Sequence, residues 1–202
     1  MKPVGAEFFA RAAPDVARDL LGAVLRVRAA DGRATAGRIV EVEAYGGRDD
    51  PASHAHRGPT PRSAVMFGPP GVVYVYLIYG MHHCLNLVTG PAGEAGAVLV
   101  RAVEPLEGQA LMARRRDLDA HRHRPRDLAA GPGRLCQAFG IDLAWNGLPV
   151  DDGGPDEGDG PRLGIVPAAA PPTCATGPRI GITRAADRPL RFVIPDSHCL
   201  SR

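Results

Sequence analysis

GVVYVYLIYGMHHCLN, residues 71–86, reads as a strand, a tight turn and a returning strand. The run before the turn is β-branched and aromatic, the composition of a strand. Gly80, between Tyr79 and Met81, breaks it and supplies a permissive turn position. Three of the four tyrosines in the chain, Tyr74, Tyr76 and Tyr79, fall within six residues here. Side chains alternate along a strand, so Tyr74 and Tyr76 share one face. Tyr79 then points to the other face or stands at the tip of the hairpin. An aromatic stripe is most often core. A tyrosine at a tip beside a glycine, in a basic chain, is also the form of a wedge for DNA.

Around this hairpin the chain alternates short elements. Residues 6–22 predict a helix, with Pro14 in a first-turn position and Val16, Leu20 and Leu21 on one apolar face. Residues 23–28 predict a strand. Residues 38–45, RIVEVEAY, predict a second with period two: Val40, Val42 and Ala44 on one face, Ile39, Glu41, Glu43 and Tyr45 on the other. Two carboxylates beside Ile39 are unusual for a core and ordinary for an exposed face. Residues 46–70 form a long loop holding His54, His56, Arg57 and Arg62; loops of this length are usually functional or disordered. A strand over 97–103 puts Ala97, Leu99 and Arg101 on one face. A helix follows over 105–118, then a polar loop over 121–127 and a short helix opened by Gly131–Arg134. Residues 145–172 read as extended surface loop, and 179–184 and 190–194 as two closing strands. No internal repeat or domain boundary appears, so residues 1–202 are expected to form one domain.

Composition narrows the function. No apolar run reaches transmembrane length and no signal peptide is evident, so a cytoplasmic protein is expected. The four cysteines are dispersed without a CxxC pair, which suggests neither a zinc ribbon nor a disulfide framework. Net charge is +2, but residues 150–160 hold five acids and no base, which leaves the remainder at +7. A basic body with one acidic loop suits a polyanionic partner, and a solvated mixed surface fits the charge alone equally well. Of 24 basic residues only Lys2 is lysine.

Histidine pairs at 54/56, 82/83 and 121/123 raise a metal site as an alternative, but 121 and 123 lie among arginines and 82 and 83 are adjacent on a strand. Taken together, Glu43, Tyr45, His54, Tyr76 and Tyr79 suit removal of a base from DNA. The base must leave the stack, something must fill the gap, and a carboxylate must activate water beside an oxocarbenium-like sugar.

The motifs IVEVEAY (39–45), DPASHAHRG (50–58), TPRSAVMF (60–67), the 71–86 hairpin, VLVRAVEPLEG (98–108), GPGRLCQAFGI (131–141) and PLRF (189–192) carry a resemblance. The chain resembles the alkyladenine (3-methyladenine/methylpurine) DNA glycosylase family, not the helix-hairpin-helix glycosylases. The resemblance implies an α+β fold: a single mixed domain with a curved, largely antiparallel β-sheet, surrounding helices and a protruding hairpin. It implies Glu43 as the general base and Arg101 as the arginine near the attacking water. Tyr45, His54 and Tyr76 become walls and polar reader of the base pocket. It further implies that Asn86 helps exclude guanine and that Tyr79 intercalates into the duplex. The expected partner is double-stranded DNA containing modified purines, bound by a monomer associated with the bacterial nucleoid, with no metal, no other cofactor and no membrane. Glycosylases that also nick DNA use an amine nucleophile. With Lys2 as the one lysine, a monofunctional, water-based reaction is expected. His82 and His83 stand where some relatives carry aromatic residues, and the acidic 150–160 segment has no clear counterpart. A DNA-structure binder that hydrolyses nothing and a metal-dependent hydrolase are the rival readings.

Overall fold

The computed structural model describes residues 2–119, 122–153 and 160–201. Among them, eight strands pair into one antiparallel sheet. They are β1 Val24–Arg28, β2 Ala34–Tyr45, β3 Val73–Ile78, β4 His82–Val88, β5 Ala97–Glu107, β6 Arg162–Val166, β7 Ala175–Gly177 and β8 Arg191–Val193. The main path runs β3-β4-β5-β2-β1-β6, with β8 joining β2 to β7. The sheet curls into a half-barrel, and the helices are few and short.

Strand β2 causes much of that curl. Along one edge it pairs with β5 from Ala36 to Tyr45. Along the other it pairs first with β1, over Ala34–Arg38, and then with β8, over Glu41–Glu43. The transfer coincides with a β-bulge: Ile39 faces Val103 and Glu41 faces Ala102, with register shifts on both sides of Glu41. A bulge bends a strand and increases its twist. It also corrects the strict alternation expected of 38–45. Ile39 joins Val42 and Ala44 in the main core, while Val40 turns to the opposite face, against Ala102 and Cys199. Glu41, Glu43 and Tyr45 remain together, without Ile39.

Outside this stretch and the facing Arg101–Val103 of β5 the alternation holds, and it sorts the sheet into two faces. Val73, Val75, Leu85, Leu87, Val98 and Val100 enter the main core. Their neighbours Tyr74, Tyr76, Cys84, Asn86, Leu99 and Arg101 face a cavity on the other side. Helices cover the core face: α1 Ala6–Phe9, α2 Ala13–Leu20, α3 Gln109–Arg115, α4 Pro125–Ala129 and α5 Pro132–Phe139. Helix α2 shows why these residues coil. Ala13, Val16, Ala17 and Leu20 are buried at i, i+3, i+4 and i+7, behind a proline in the first turn.

Several sequence expectations change. The helix over 6–22 is two helices, broken at residues 10–12. The helix over 105–118 begins only at Gln109, because β5 runs on through Pro105. Pro105 has no N–H to give the ladder; it pairs with Gly37 at a register shift, where such a residue is tolerated. Gly108 then makes the switch from strand to helix at φ +75, with a Cβ direction only 2.6 Å from the carbonyl oxygen of Ala34. A larger residue fits there neither in backbone nor in space. The polar loop over 121–127 contains the start of α4, and the surface loop over 145–172 contains β6, paired to β1. Of the closing strands, 190–194 appears as β8. Residues 179–184 are not a strand; β7 lies earlier, at 175–177. In the acidic segment, residues 154–159 lie outside the described residues, as does His121. Among the described residues, no helix is long and apolar enough to cross a membrane.

Candidate active site

The cavity on the second face has a volume of about 860 Å³. Its floor comes from β2 and β5, one wall from β3 and β4, a second wall from residues 52–66, and its rim from the start of α5 and residues 180–182 and 200–201. Three tyrosines and a histidine give it flat aromatic sides. His54 and Tyr76 meet edge to face at 4.6 Å, and Tyr74 lies 5.5 Å from Tyr76. Such arrangements suit the ring quadrupoles. The Arg62 guanidinium covers Tyr76 from outside, 4.8 Å from the ring centre.

His54 Nδ1 is 2.9 Å from the Tyr74 hydroxyl. Burial in this wall pushes the imidazole down to about 4, and the charge of Arg62 adds to the effect. The ring is open to the cavity on one side, so solvent moderates the shift. The direction still leaves His54 neutral at pH 7. Burial likewise raises the Tyr76 and Tyr74 hydroxyls, so both remain protonated.

Asn86, on β4, forms part of the wall. Its Nδ2 donates to the carbonyls of Tyr74 (3.1 Å) and Cys84 (3.2 Å). Two carbonyl acceptors require the nitrogen there, which fixes the amide orientation.

Glu43 and Glu41 are both fully buried, but they differ in what binds them. Glu41 Oε1 accepts from Arg101 Nε (3.0 Å), Arg191 Nε (2.8 Å) and Ser201 Oγ (2.7 Å), and its Oε2 from the Ser201 N–H (2.6 Å). Glu43 Oε1 accepts from the Ile180 N–H (2.7 Å) and lies 3.3 Å from Arg101 Nη1; Oε2 accepts from the Tyr45 hydroxyl (2.8 Å). Glu43 has no surface in the cavity. Tyr45, Arg101 and Ile180, which touch it, line the cavity instead. Burial, reinforced by the Glu43 charge, raises the Tyr45 hydroxyl far above its usual value, so it is a donor to Glu43 at any working pH.

A second buried ion pair backs this group. Arg179 donates from Nη1 and Nη2 to the two oxygens of Asp50 (2.5 and 2.8 Å) and from Nη1 to the Ala44 carbonyl (3.0 Å). Its guanidinium also lies 4.5 Å from the centre of the Tyr45 ring. Burial opposes ionisation of Asp50, but the Arg179 fork and the N–H groups of Gly46 and Ala52 outweigh it and hold the carboxyl low.

Of the residues singled out in sequence, Tyr45, His54, Tyr76, Asn86 and Arg101 line one cavity with Glu43 directly behind it. Tyr79 is at its edge, in the β3–β4 turn, and 82% exposed. Tyr79 and Gly80 have φ of +53 and +68, and the Met81 N–H bonds to the Ile78 carbonyl. This is the pattern of a type I′ hairpin turn. Sequence reasoning missed Arg179, Asp50, Arg191 and Ser201. Arg191 lies in the PLRF motif and Asp50 opens DPASHAHRG, so both could have been flagged there; Arg179 and Ser201 carried no local signal. The paired histidines diverge: His54 meets Tyr74, whereas His56 Nδ1 meets the Arg48 carbonyl.

This layout can enclose a flat ring between aromatic walls, above a carboxylate and an arginine able to act on a bond at the cavity floor. A site of that class has known relatives. Residues 7–198 match the family described as methylpurine-DNA glycosylase. A protein of Rhodopseudomonas palustris (strain ATCC BAA-98 / CGA009), named as a candidate 3-methyladenine DNA glycosylase, is 50% identical over 96% of this chain and 86% of its own. Relatives named in the same way from Nitrobacter winogradskyi and Methanoculleus marisnigri are 48% and 49% identical, over 100% and 98% of this chain and 88% and 97% of theirs. The chain belongs to the methylpurine-DNA glycosylase family.

Proposed function

We propose that this protein removes 3-methyladenine and related modified purines from duplex DNA by hydrolysing the N-glycosidic bond. It acts as a single-domain monomer, needs no metal, and leaves an intact abasic strand. One observation carries the reading: a buried carboxylate, Glu43, held against Arg101 behind an aromatic cavity of base-accepting size.

In this mechanism the purine turns out of the stack and lies between Tyr45 on one side and His54 and Tyr76 on the other. With the Tyr74 hydroxyl donating to Nδ1, neutral His54 presents its Nε2–H to the base. Asn86 cannot swing aside, because its amide is tied to two carbonyls; it therefore collides with the 2-amino group of guanine. Glu43 takes the proton of the attacking water and stabilises the oxocarbenium-like sugar, while Arg101 holds that water. Glu43 is sealed before substrate enters, so the Tyr45 hydroxyl turns from Oε2 as the water arrives. Tyr79, on the protruding hairpin, fills the space left by the base. The second arginine-lined side of the cavity, with Arg116, Arg124, Arg126 and Arg134, meets the phosphates.

Hydrolysis without strand cleavage is supported by the described residues, among which no amine is placed at the cavity. Lys2 is exposed beside Gly153 and does not line the cavity, and arginine stays protonated. The test is incubation with duplexes each carrying one modified purine. Free base with no nick before alkali, and no adduct trapped by borohydride, is the expected result. A DNA complex with no base released would return the protein to a binding role, and a borohydride-trapped adduct would replace water by an amine.

A further inference from the structure

Arg101 lies between two buried carboxylates, and its hold on them is unequal. A guanidinium facing one carboxylate usually forms a two-pronged pair that occupies both oxygens. Such a pair at Glu43 would leave little room for water. Here only Nη1 reaches Glu43, at 3.3 Å. The Nε is taken by Glu41 at 3.0 Å, and Nε and Nη2 both donate to Ser201 Oγ at 3.2 Å. Ser201 is itself fixed: its N–H and its hydroxyl both donate to Glu41. Glu41 is fixed further by Arg191. Ser201 and the adjacent Leu200 also line the cavity.

We infer that Ser201 is a positioning residue for hydrolysis, acting through Arg101. Its hydroxyl completes the Glu41 network that draws the guanidinium back and leaves one prong on Glu43. Without that hydroxyl, Nη2 and half of the Nε interaction lose their acceptor. The guanidinium is then free to rotate between Glu41 at 3.0 Å and Glu43 at 3.3 Å, and a turn toward Glu43 closes over the oxygens that water needs. This inference rests on the reading of the site as a hydrolytic glycosylase.

The test is Ser201→Ala, with Ser201→Thr as its conservative partner. The alanine variant keeps the N–H that bonds Glu41, so the fold is retained. Small misplacements of catalytic groups reduce rates by up to about 100-fold, and a loss of about 10-fold or more in single-turnover base release is expected. Binding to the same modified-purine duplex and thermal stability should stay close to the parent, and Ser201→Thr should recover most of the rate. Release by Ser201→Ala at the parental rate would overturn the positioning role alone. So would a loss that Ser201→Thr fails to restore, or one matched by weaker DNA binding or a lower melting temperature. A parent protein that releases no base would remove the glycosylase reading, and this inference with it.

Discussion

The floor of the cavity and the β3–β4 turn at its edge are built on opposite principles. On the floor, Glu41 and Glu43 both contact Arg101 and are bonded to residues 180, 191 and 201, nearly all out of contact with water. At the turn, Tyr79 and Met81 are 82% and 70% exposed. Tyr79 is also held at positive φ, a conformation that stores about 1–3 kcal/mol in a residue other than glycine. The contrast separates two needs. Chemistry at a carboxylate needs fixed geometry, which a saturated polar network provides. Contact with a second large molecule needs an apolar side chain left free of the protein's own core.

The contrast can be tested at several points. Glu43→Gln should produce the largest change, a loss of about 10²–10⁴-fold in base release, with binding to modified-purine DNA retained. A harmless Glu43→Gln beside a damaging Glu41→Gln, each measured against melting temperature, would move the base to Glu41. Next, Arg179→Met strands the buried Asp50 charge. Breaking such a pair typically costs about 3–5 kcal/mol, which for a chain of this size lowers the melting temperature by on the order of 10 °C. Calorimetry showing no change would mean that this part of the floor is not structural.

At the turn the signs reverse. Tyr79→Gly should relieve the positive φ and raise stability by about 1 kcal/mol, while reducing base flipping as Tyr79→Ala does. Tyr79→Phe should leave flipping nearly intact, because the ring fills the gap. Fluorescence of a flipped base analogue reads both; an unaltered flipping equilibrium in Tyr79→Ala would remove the ring from the mechanism. The smallest effect concerns pH. His54 is neutral in the fold above about 4, whereas the unfolded chain takes up its proton near 6.5. Stability from this residue is therefore present above pH 6.5 and declines as pH falls toward 4. Imidazole NMR signals of His54 should stay fixed from pH 8 to about 5; a midpoint near 6.5 would mean that the wall does not desolvate it.

What the sequence revealed depended on how local the cause was. The hairpin and the shared face of Tyr74 and Tyr76 follow from alternation along one strand, and these were legible. So were the site residues carried by the family motifs. The bulge at Glu41 was not: it arises from β2 changing partners between β1 and β8, and no residue between 38 and 45 announces it. Pro105 misled for a related reason, since a proline after a strand commonly opens a helix and here pairs with Gly37 instead. Strand β6 lay hidden in glycine- and proline-rich sequence because its partner, β1, stands more than a hundred residues earlier. Arg179 and Ser201 became visible only when distant segments met.

The floor network also sets a schedule for synthesis. Glu41 and Glu43 leave the ribosome well over a hundred residues before most of the groups that bind them, from Ile180 to Ser201. Until then the nascent half-barrel holds two carboxylates with a single arginine between them, a site that water must keep open. Completion of the sheet by β8 and closure of the polar network are therefore one late, long-range event. A chain arrested before residue 190 should be cut readily by protease within β2, and one released past residue 201 should resist.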